Sequence, residues 1–485
     1  MLPSFGVLRI SPGPAFDISR RQLLCGAAGV VLGRTLRLPS EPVADAFGGQ
    51  RVYVDHFRRA GDSGWARPIA RAIAAAQRSG GGRVLGSPGR VYGLRPHAIY
   101  TAQLPHGATT SYRVCVQIPP GVTLDMQGST LRLLGSTAAA IVTNKNLSGV
   151  GWRDTDVALV NAVLDGGSIP ARGTPLLHLA YVDRLILQDV KLVNGNCVGG
   201  WVYNCNASTF DSLEVDGFRG LPWSIGSAAR TGNQVYDSTF GALRARNVTW
   251  IDPYYYFPGN SFVLTLTRCQ VKSIEAYRCT AGIKIQSPTQ DLTIGTVTTS
   301  ACGSPTGNSG LKLQGDKGGR PVANVSVGML RAEAQTGPGL YMERTLDCTV
   351  DSYRGVSNNV NAAQADVWIG GTNDLLMDVQ SDESGGPGVL VRPYATGYRL
   401  DNVLVRNPYQ SPKAVRPSVG VAVEGGVGSF GHVTCVDTRR RPTMERGVDV
   451  SSPEAIGLIT ALEVEGNVPM PFASVSKEFE KPVVH

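Results

Sequence analysis

One short pattern recurs in the second half of this 485-residue chain and limits the folds open to it. Each copy has apolar residues at its second and fourth positions, an alternation typical of a strand with one buried face. Seven copies follow one another at intervals of 22 to 32 residues. Their apolar pairs are Ile283/Ile285, Leu311/Leu313, Leu340/Met342, Val367/Ile369, Val389/Val391, Val421/Val423 and Val448/Val450.

The residues between the copies hold further short apolar strings, which Asn, Gly, Asp or Pro separate. Repeats of this size, with several short strands and almost no helix signal, are typical of a solenoid whose stacked rungs bury a common core. A propeller blade needs about 40 residues, and leucine-rich repeats need a different leucine frame. The sequence therefore predicts an all-β, right-handed parallel β-helix over about residues 114–464.

The open N-terminal end of such a solenoid needs a cap. The segment from Ser63 reads "SGWARPIARAIAAAQRSGGG" and places Ile69 and Ile73 on one face of a helix, which the glycines at 80–82 end. We expect a capping helix near residues 66–78 inside a cap region of residues 47–113. Residues 465–485 are predicted to form a C-terminal tail.

Two segments carry a resemblance to a known group of proteins. They are "VDHFRRAGDSGWARPIARAIAAAQRSGGGRVLGSPGRVYGL" from Val54 and "IPPGVTLDMQGSTL" from Ile118. Together they resemble the N-terminal signature of the pectate-lyase-like superfamily, which includes rhamnogalacturonases, polygalacturonases, epimerase-like proteins and phage tailspikes. The resemblance implies the β-helix and a carbohydrate substrate. It departs from the family at "DSGWARP", where acidic residues are common, and it does not choose a reaction.

The first 46 residues resemble a twin-arginine export signal. Arg20 and Arg21 precede a short apolar run, and Ala44 to Ala46 reads Ala-Asp-Ala, the usual spacing of a cleavage site. We therefore expect residues 1–46 to be removed and the mature chain to be periplasmic or secreted. No later segment is apolar enough to cross a membrane, so no membrane anchor is expected in the mature chain.

Composition narrows the partners. The net charge is +8, but no run of basic residues suggests nucleic acid. Cys269 and Cys279 could form a disulfide in an oxidising compartment, although small buried thiols are the alternative for most of the nine cysteines. No Cys/His cluster has the spacing of a zinc site.

Outward positions of the repeat predict where a ligand binds. In each copy the two apolar residues point inward, so the residue that follows each of them faces outward. Stacking of the rungs aligns these outward residues into two columns. One column contains Lys284, Lys312, Tyr341, Trp368, Leu390 and Ala422; its neighbour contains Gln286, Gln314, Glu343, Gly370, Arg392 and Glu424. Cations and aromatics on an exposed sheet indicate a groove for an acidic glycan, although a solvated sheet face is the alternative.

A loop precedes the regular rungs and reads "WIDPYYYFPGN" from Trp250. Its prolines exclude a core strand. Tyr254, Tyr255 and Tyr256 are therefore predicted to form a wall of the groove, unless they pack on the flank of the solenoid.

The outward residues leave three classes of function open. Glycoside hydrolysis needs two carboxyl groups, and Asp216, Asp252, Asp316 and Glu343 are candidates without a distinguishing spacing. β-Elimination or C5-epimerisation of a uronic acid needs a cation for the carboxylate and a base for the C5 proton. A glycan-binding solenoid without catalysis is the third class. The catalytic candidates are Lys284, Lys312, Tyr341, Arg344, Arg392, Asp316 and Glu343, and the substrate-binding candidates are Gln286, Gln314, Trp368 and the three tyrosines.

No cofactor is established by the sequence. Calcium neutralises the carboxylate in lyases of the resembled group, and Asp316, Glu343 and Asp366 are the carboxylates that could hold it here. No calcium-binding motif is present, however. The six histidines do not cluster, so a histidine-centred mechanism is not expected.

Overall fold

The repeated apolar pairs form stacked strands in a computed structural model of the chain. The signal-like segment of residues 1–46 and the three-tyrosine loop both lie outside the residues that the structure describes. The described residues are 49–103, 109–147, 152–169, 174–226, 233–249, 260–303, 309–360, 363–411, 413, 417–440, 443–466 and 468–484.

The described residues contain an α-helix, α1 Ala66–Arg78, a 3-10 helix at Val54–Phe57, and 35 strands. The first strands are β1 Gln50–Tyr53, β2 Gly82–Leu85, β3 Val91–Leu94, β4 Ala98–Gln103, β5 Thr109–Ile118, β6 Val122–Leu133, β7 Ala139–Asn144, β8 Asp154–Thr155, β9 Val157–Asp165, β10 Pro175–Asp183, β11 Ile186–Val193, β12 Asn196–Asn206, β13 Thr209–Asp216, β14 Arg219–Ile225, β15 Val235–Tyr236, β16 Thr239–Arg246 and β17 Asn260–Leu264. The later strands are β18 Leu266–Tyr277, β19 Ala281–Gln286, β20 Gln290–Ser300, β21 Leu311–Gln314, β22 Val322–Glu333, β23 Leu340–Leu346, β24 Thr349–Val356, β25 Val367–Thr372, β26 Leu375–Asp382, β27 Val389–Val391, β28 Thr396–Arg406, β29 Val419–Val423, β30 Val427–Asp437, β31 Arg446–Val450, β32 Ile456–Gly466, β33 Met470–Ser474, β34 Phe479–Glu480 and β35 Val483–Val484.

Strands from successive rungs pair side by side, and the pairings between named strands are parallel except that of β4 with β5. One stack, called the first sheet, contains β5, β7, β10, β12, β14, β17, β19, β21, β23, β25, β27, β29, β31 and β33. Another, called the second sheet, contains β6, β9, β11, β13, β16, β18, β20, β22, β24, β26, β28, β30 and β32. This is the predicted right-handed parallel β-helix.

The predicted register of the repeat is confirmed. All seven apolar pairs lie in the interior, each side chain at most 1% exposed. Ile283 pairs with Leu311 and Leu311 with Leu340, so like positions stack directly from rung to rung. Aromatic residues stack in the same way, and the rings of Phe210 and Phe240 lie parallel with centroids 4.4 Å apart. Because no rung can bury its apolar face alone, the neighbouring rungs supply the core.

The helix α1 covers the first rung as predicted. Ile69 and Ile73 are buried, 0% and 5% exposed, and join the main core. The stack itself extends past both predicted limits. β1 and β2 already pair in parallel ahead of β6, and β33 pairs with β31 after residue 464. The sequence pattern underestimates both ends because the terminal rungs are shorter and less regular.

The antiparallel pair β4–β5 lies at the N-terminal end of the first sheet, of which β5 is the first strand. A second hydrophobic cluster forms there, and Tyr100 of β4 packs against it. Its buried members are Val114, Ala140, Leu147, Ala180, Val198, Trp201 and Tyr203. These side chains on the first rungs of the first sheet are therefore buried in a cluster of their own.

The cysteines behave as small apolar residues. Cys269 and Cys279 are both buried and free, so the disulfide considered for them is not formed. No helix in the described part of the chain has the length and apolar character needed to cross a membrane.

A buried carboxyl group makes stability depend on pH. Asp374 accepts hydrogen bonds from Thr345 Oγ1 at 2.6 Å and from the Cys348 amide at 3.2 Å. Burial nevertheless raises the pKa of Asp374 to about 7, above the usual value for the unfolded chain. Between about pH 4 and 7 the folded state therefore keeps a proton that the unfolded state has lost, and stability falls as pH rises.

We expect Asp374 to lower the free energy of unfolding by about 3–4 kcal/mol between pH 4 and 7. Asp366 contributes a slope of the same sign, because burial raises its pKa too. Urea unfolding of the unmutated protein and of Asp374→Asn at both pH values isolates the Asp374 share. Equal slopes in the two proteins would show that Asp374 does not titrate in this range.

Candidate functional site

The two predicted outward columns exist on the first sheet. Lys284 pairs with Lys312, Lys312 with Tyr341 and Tyr341 with Trp368. In the neighbouring column, Gln286 pairs with Gln314 and Gln314 with Glu343, which faces Gly370 on β25. The side chains are half-buried rather than fully solvated, because each packs against the next rung.

Four side chains of these columns stack into a ladder. Lys312 Nζ lies 4.6 Å from the ring centroid of Tyr341, and the rings of Tyr341 and Trp368 stack with centroids 5.3 Å apart. The Arg392 guanidinium then lies 4.6 Å from the Trp368 ring and pairs with Glu424. Cation–π and ring stacking each contribute about 0.5–1.5 kcal/mol, so the ladder holds its side chains in one arrangement.

Glu343 joins the two columns. Its Oε2 atom accepts a hydrogen bond from Tyr341 Oη at 2.9 Å and another from Gln314 Nε2 at 3.0 Å. Arg344 Nη1 lies 3.9 Å from the other carboxylate oxygen. The Glu343 side chain is 17% exposed, so these contacts rather than water satisfy most of its hydrogen-bonding capacity.

Lys284 and Lys312 lie on adjacent strands, about 4.8 Å apart along the stack. Neither has an ion-pair partner among the described residues. Burial lowers the pKa of Lys284, and the positive charge of Lys312 lowers it further. Burial also lowers the pKa of Lys312, but the charge of Glu343 opposes that effect. Lys284 is therefore the one of the pair that loses its proton more readily.

Tyr341 is held in its protonated form. Burial raises the pKa of its phenol, and the hydrogen bond to Glu343 raises it further. The sequence allows a tyrosine to act as a base, but here the Tyr341 hydroxyl donates to a carboxylate. In this geometry the Tyr341 hydroxyl is a hydrogen-bond donor and not a base.

A third aromatic residue of the site is missing from the sequence prediction. Tyr394 follows β27, is 47% exposed, and its ring lies over Gly370. A Cβ atom at Gly370 would come 2.6 Å from this ring, so the glycine in the outward column makes room for it. Tyr394 lies in the turn after β27 and not in a strand, so the repeat pattern did not include it, and the single glycine was the available signal.

Asp366 and Asp316, two of the acidic residues considered from the sequence, do not join the two outward columns. Asp366 was considered as a calcium ligand, but it is fully buried and accepts hydrogen bonds from Tyr353, Ser381 and Asn358. Asp366 has this role because it opens the strand at the corner, on the inner side of the rung. Asp316 lies in a turn and pairs with Arg320 at 2.6 Å. Asp252 lies outside the described residues, as do Tyr254, Tyr255 and Tyr256.

The residues present do not fit the calcium site that the resemblance suggests. Asp366 is enclosed in the core, Asp316 is paired with Arg320, and Glu343 is occupied by Tyr341 and Gln314. Within the described ranges, no group of three acidic, His or Cys residues could hold a metal ion. Among the cations of the two columns, Arg392 pairs with Glu424, whereas Lys284 and Lys312 have no ion-pair partner in the described residues.

At its N-terminal end the lysine column continues into a buried cluster. His178 pairs with Trp201, and His178 Nε2 lies 3.0 Å from Tyr203 Oη. Burial lowers the pKa of His178 to about 3, so this imidazole stays neutral. Sequence parity alone would have placed these residues on the outward face, but they are buried.

Comparison with known proteins supports the fold. No protein-family model and no curated protein matches the chain. Among solved structures, the tailspike protein of Escherichia coli bacteriophage HK620 in complex with pentasaccharide has a TM-score of 0.51 at 10% identity and covers 96% of this chain and 86% of its own. A tailspike mutant, also with pentasaccharide, has a TM-score of 0.55 at 9% identity and covers 92% and 85%.

A third match is the A-module of the mannuronan C-5 epimerase AlgE4 from Azotobacter vinelandii, with a TM-score of 0.46, 14% identity and coverage of 89% and 99%. The two tailspike matches, with TM-scores above 0.5, support the parallel β-helix fold. At these identities the matches establish the β-helix and not an activity.

Proposed function

We propose that this protein is an exported enzyme that acts on an acidic polysaccharide by β-elimination or C5-epimerisation. The observation that carries the proposal is the pair of half-buried lysines, Lys284 and Lys312, beside the Tyr341–Glu343 hydrogen bond. A carboxylated sugar brings the negative charge that this part of the groove lacks. The oligosaccharides named with the tailspike structures support a glycan as ligand.

The two lysines have different proposed roles. Lys312 keeps its charge more readily because Glu343 is near, and it binds the uronate carboxylate. Lys284 loses its proton more readily, and in the neutral form it removes the proton at C5. The ordinary lysine pKa is too high for a base at neutral pH, so burial of Lys284 is part of this assignment.

The bond changes balance with these groups. Lys284 takes the C5 proton, and the electron pair of the C5–H bond forms the C4–C5 double bond as the bond from C4 to the glycosidic oxygen breaks. The departing oxygen takes a proton from solvent water, while Tyr341 keeps its own proton in the hydrogen bond to Glu343. In epimerisation the electron pair of the C5–H bond passes into the carboxylate that Lys312 binds, the C4–O bond stays intact, and C5 then takes a proton from water on its opposite face.

The stacked rings position the sugar. The stacked Tyr341 and Trp368 rings are partly exposed, and Tyr394 lies over Gly370 on the strand of Trp368. Flat aromatic surfaces bind the apolar faces of sugar rings, while Gln286 and Gln314 offer amides to hydroxyl groups. Gln286 Nε2 now lies 3.4 Å from Thr265 Oγ1, a weak contact that a ligand can replace.

Incubation with polygalacturonate and with polymannuronate in D₂O tests the proposal. Ultraviolet absorbance of an unsaturated uronate shows elimination, and deuterium at C5 without chain cleavage shows epimerisation. New reducing ends without the absorbance would instead show hydrolysis. Binding without any of the three products would establish a non-catalytic glycan-binding solenoid and overturn the proposal.

Trp368 should contribute to binding through its ring. We expect Trp368→Leu to weaken binding of an oligouronate by about tenfold, because it loses the Tyr341 stack and the contact with Arg392. Trp152→Leu is the matched control, since Trp152 is 64% exposed. Isothermal titration calorimetry measures both, and equal affinities in the two variants would remove Trp368 from the site.

Export is proposed from the twin-arginine motif in residues 1–46. We expect a reporter fused after Ala46 to reach the periplasm and to stay inside when Arg20 and Arg21 are both replaced by lysine. Unchanged export of the double variant would show that the twin-arginine route is not used.

A further inference from the structure

The positive charge of the mature chain is concentrated at the capped end of the solenoid. Residues 47–113 contain ten arginines and two acidic residues, Asp55 and Asp62, a net charge of +8. Residues 114–485 contain 31 basic and 33 acidic residues, a net charge of −2. The strong basic character of the chain therefore belongs to the cap and not to the groove.

Most of these arginines have no carboxylate partner. Asp62 pairs with Arg71, and Asp55 pairs with Arg90, so both acids of the cap are occupied. Arg83 pairs with Asp125 of the solenoid. The remaining seven are exposed and form no ion pair with any described residue; they are Arg51, Arg58, Arg59, Arg67, Arg78, Arg95 and Arg113.

In the solenoid body, residues 114–485, exposed arginines form ion pairs with nearby carboxylates. Arg184 pairs with Asp156 at 2.5 Å, Arg268 with Asp237 at 2.6 Å, and Arg399 with Asp401 at 2.5 Å, although all three are more than half exposed. Exposed arginines of the body are thus largely neutralised within the chain. Those of the cap remain available to an outside anion.

Three of the cap arginines lie on one face of the helix α1. Arg67, Arg71 and Arg78 lie within about 40° of one another around the helix axis and span about 16 Å along it. The opposite face, with Ile69 and Ile73, is buried against the core. Arg71 is paired with Asp62, so Arg67 and Arg78 are the two cations of this row without a partner among the described residues, and a polymer with charged units can span the distance between them.

We propose that the cap is a second binding surface, which holds an acidic polysaccharide outside the groove. The choice of a carboxylated glycan rests on the proposed function. The outward stripe of α1 carries arginines and Ala74 but no bulky apolar side chain that could enter a membrane. Trp65 is 8% exposed, with guanidinium groups of Arg58 and Arg90 4.3 Å from its ring, so it cannot stack on a base.

Binding at the cap would increase the local concentration of polysaccharide near the site of Lys284 and Tyr341. The rungs of Lys284 and Tyr341 lie six and eight strands along the first sheet from β5, about 29 and 38 Å away. A chain held at the cap would raise the local concentration of its other segments at the groove. The benefit applies to long chains and not to short oligomers.

Affinity electrophoresis in gels that contain polygalacturonate tests the cap. We expect the variant Arg59→Gln/Arg67→Gln/Arg78→Gln to bind about ten- to hundredfold more weakly at low salt, and the slope of log affinity against log salt to fall by about two to three. The matched control is Arg184→Gln/Arg268→Gln/Arg399→Gln, which removes the same charge from the body and should retain affinity. Thermal melts establish that both variants are folded.

Other outcomes would overturn the inference. Equal losses in the two triple variants would mean that net charge alone governs retention. Absence of retention of the unmutated protein on polygalacturonate would remove the site, and tighter binding to phosphatidylglycerol vesicles or duplex DNA would assign the cap to a different partner. Turnover of a short oligouronate should be unchanged in the cap variant, so failure of the groove chemistry is seen separately.

Discussion

Replacing Lys284 with alanine is expected to reduce turnover of an acidic polysaccharide by about 10²- to 10⁴-fold, the usual contribution of a general base. The ammonium group of Lys284 is destabilised by burial and by Lys312, so its neutral form is available at a lower pH than in an ordinary lysine. Lys284→Arg should be equally inactive, because arginine keeps the charge but cannot lose a proton. Initial rates on polygalacturonate or polymannuronate measure both effects.

The pH profile separates a base from a binding cation. In the unmutated protein kcat/KM should rise with pH through an apparent pKa below that of an ordinary lysine, since the neutral amine is the active form. Lys312→Ala should act mainly on KM, by about ten- to hundredfold, because Lys312 is the proposed carboxylate partner. Lys272→Ala is the control, as Lys272 is exposed on β18 of the second sheet. A Lys284→Ala variant as active as Lys272→Ala would exclude Lys284 as the base.

The fold could be predicted from the sequence because the apolar alternation that specifies it lies within short segments and is repeated along the chain. The alternation at Ile283/Ile285 and in its six later copies fixes which side chains point inward, and a slip of one residue would turn every pair to solvent. The helix at Ala66–Arg78 was equally clear, since its apolar residues share one face and glycines follow it. Both ends of the stack were missed because their rungs do not repeat the pattern.

The site was only partly accessible for a different reason. Parity on a strand places Lys284, Lys312, Tyr341 and Trp368 on one face, and the structure confirms that column. Parity carries no information about what lies over the face. Trp201 is therefore buried in the second hydrophobic cluster, and the Tyr394 ring, from the turn after β27, lies over Gly370.

The environments of the charged residues could be predicted from the sequence only in part. The carboxylate of Glu343 and the phenol of Tyr341 are two residues apart in sequence, and their hydrogen bond follows from the outward parity of both. The depressed pKa of Lys284 has no sequence signal, because it depends on how many atoms exclude water from the amine. Asp366 has the sequence position of a surface carboxylate at a strand start, yet the rung encloses it.

Asp366 is expected to be one of the most sensitive positions for stability and to be silent for chemistry. Its carboxylate accepts hydrogen bonds from Tyr353 Oη at 2.5 Å, Ser381 Oγ at 2.7 Å and Asn358 Nδ2 at 2.8 Å, all inside the solenoid. Asp366→Ala leaves these donors without an acceptor and opens a void, at a cost of about 3–5 kcal/mol. Urea unfolding measures the loss.

Asp316→Ala is the matched control for this experiment, because the Asp316–Arg320 pair is exposed and should contribute at most about 1 kcal/mol.

The same pair of variants tests whether Asp366 and Asp316 bind calcium. If Asp366 and Asp316 held calcium, the ion would raise the melting temperature of the unmutated protein and neither variant would respond. If Asp366 serves only the buried network, calcium leaves all three melting temperatures unchanged, and the folded Asp366→Ala protein turns over substrate at the unmutated rate. A loss of stability no larger than that of Asp316→Ala would show that the network around Asp366 does not support the fold.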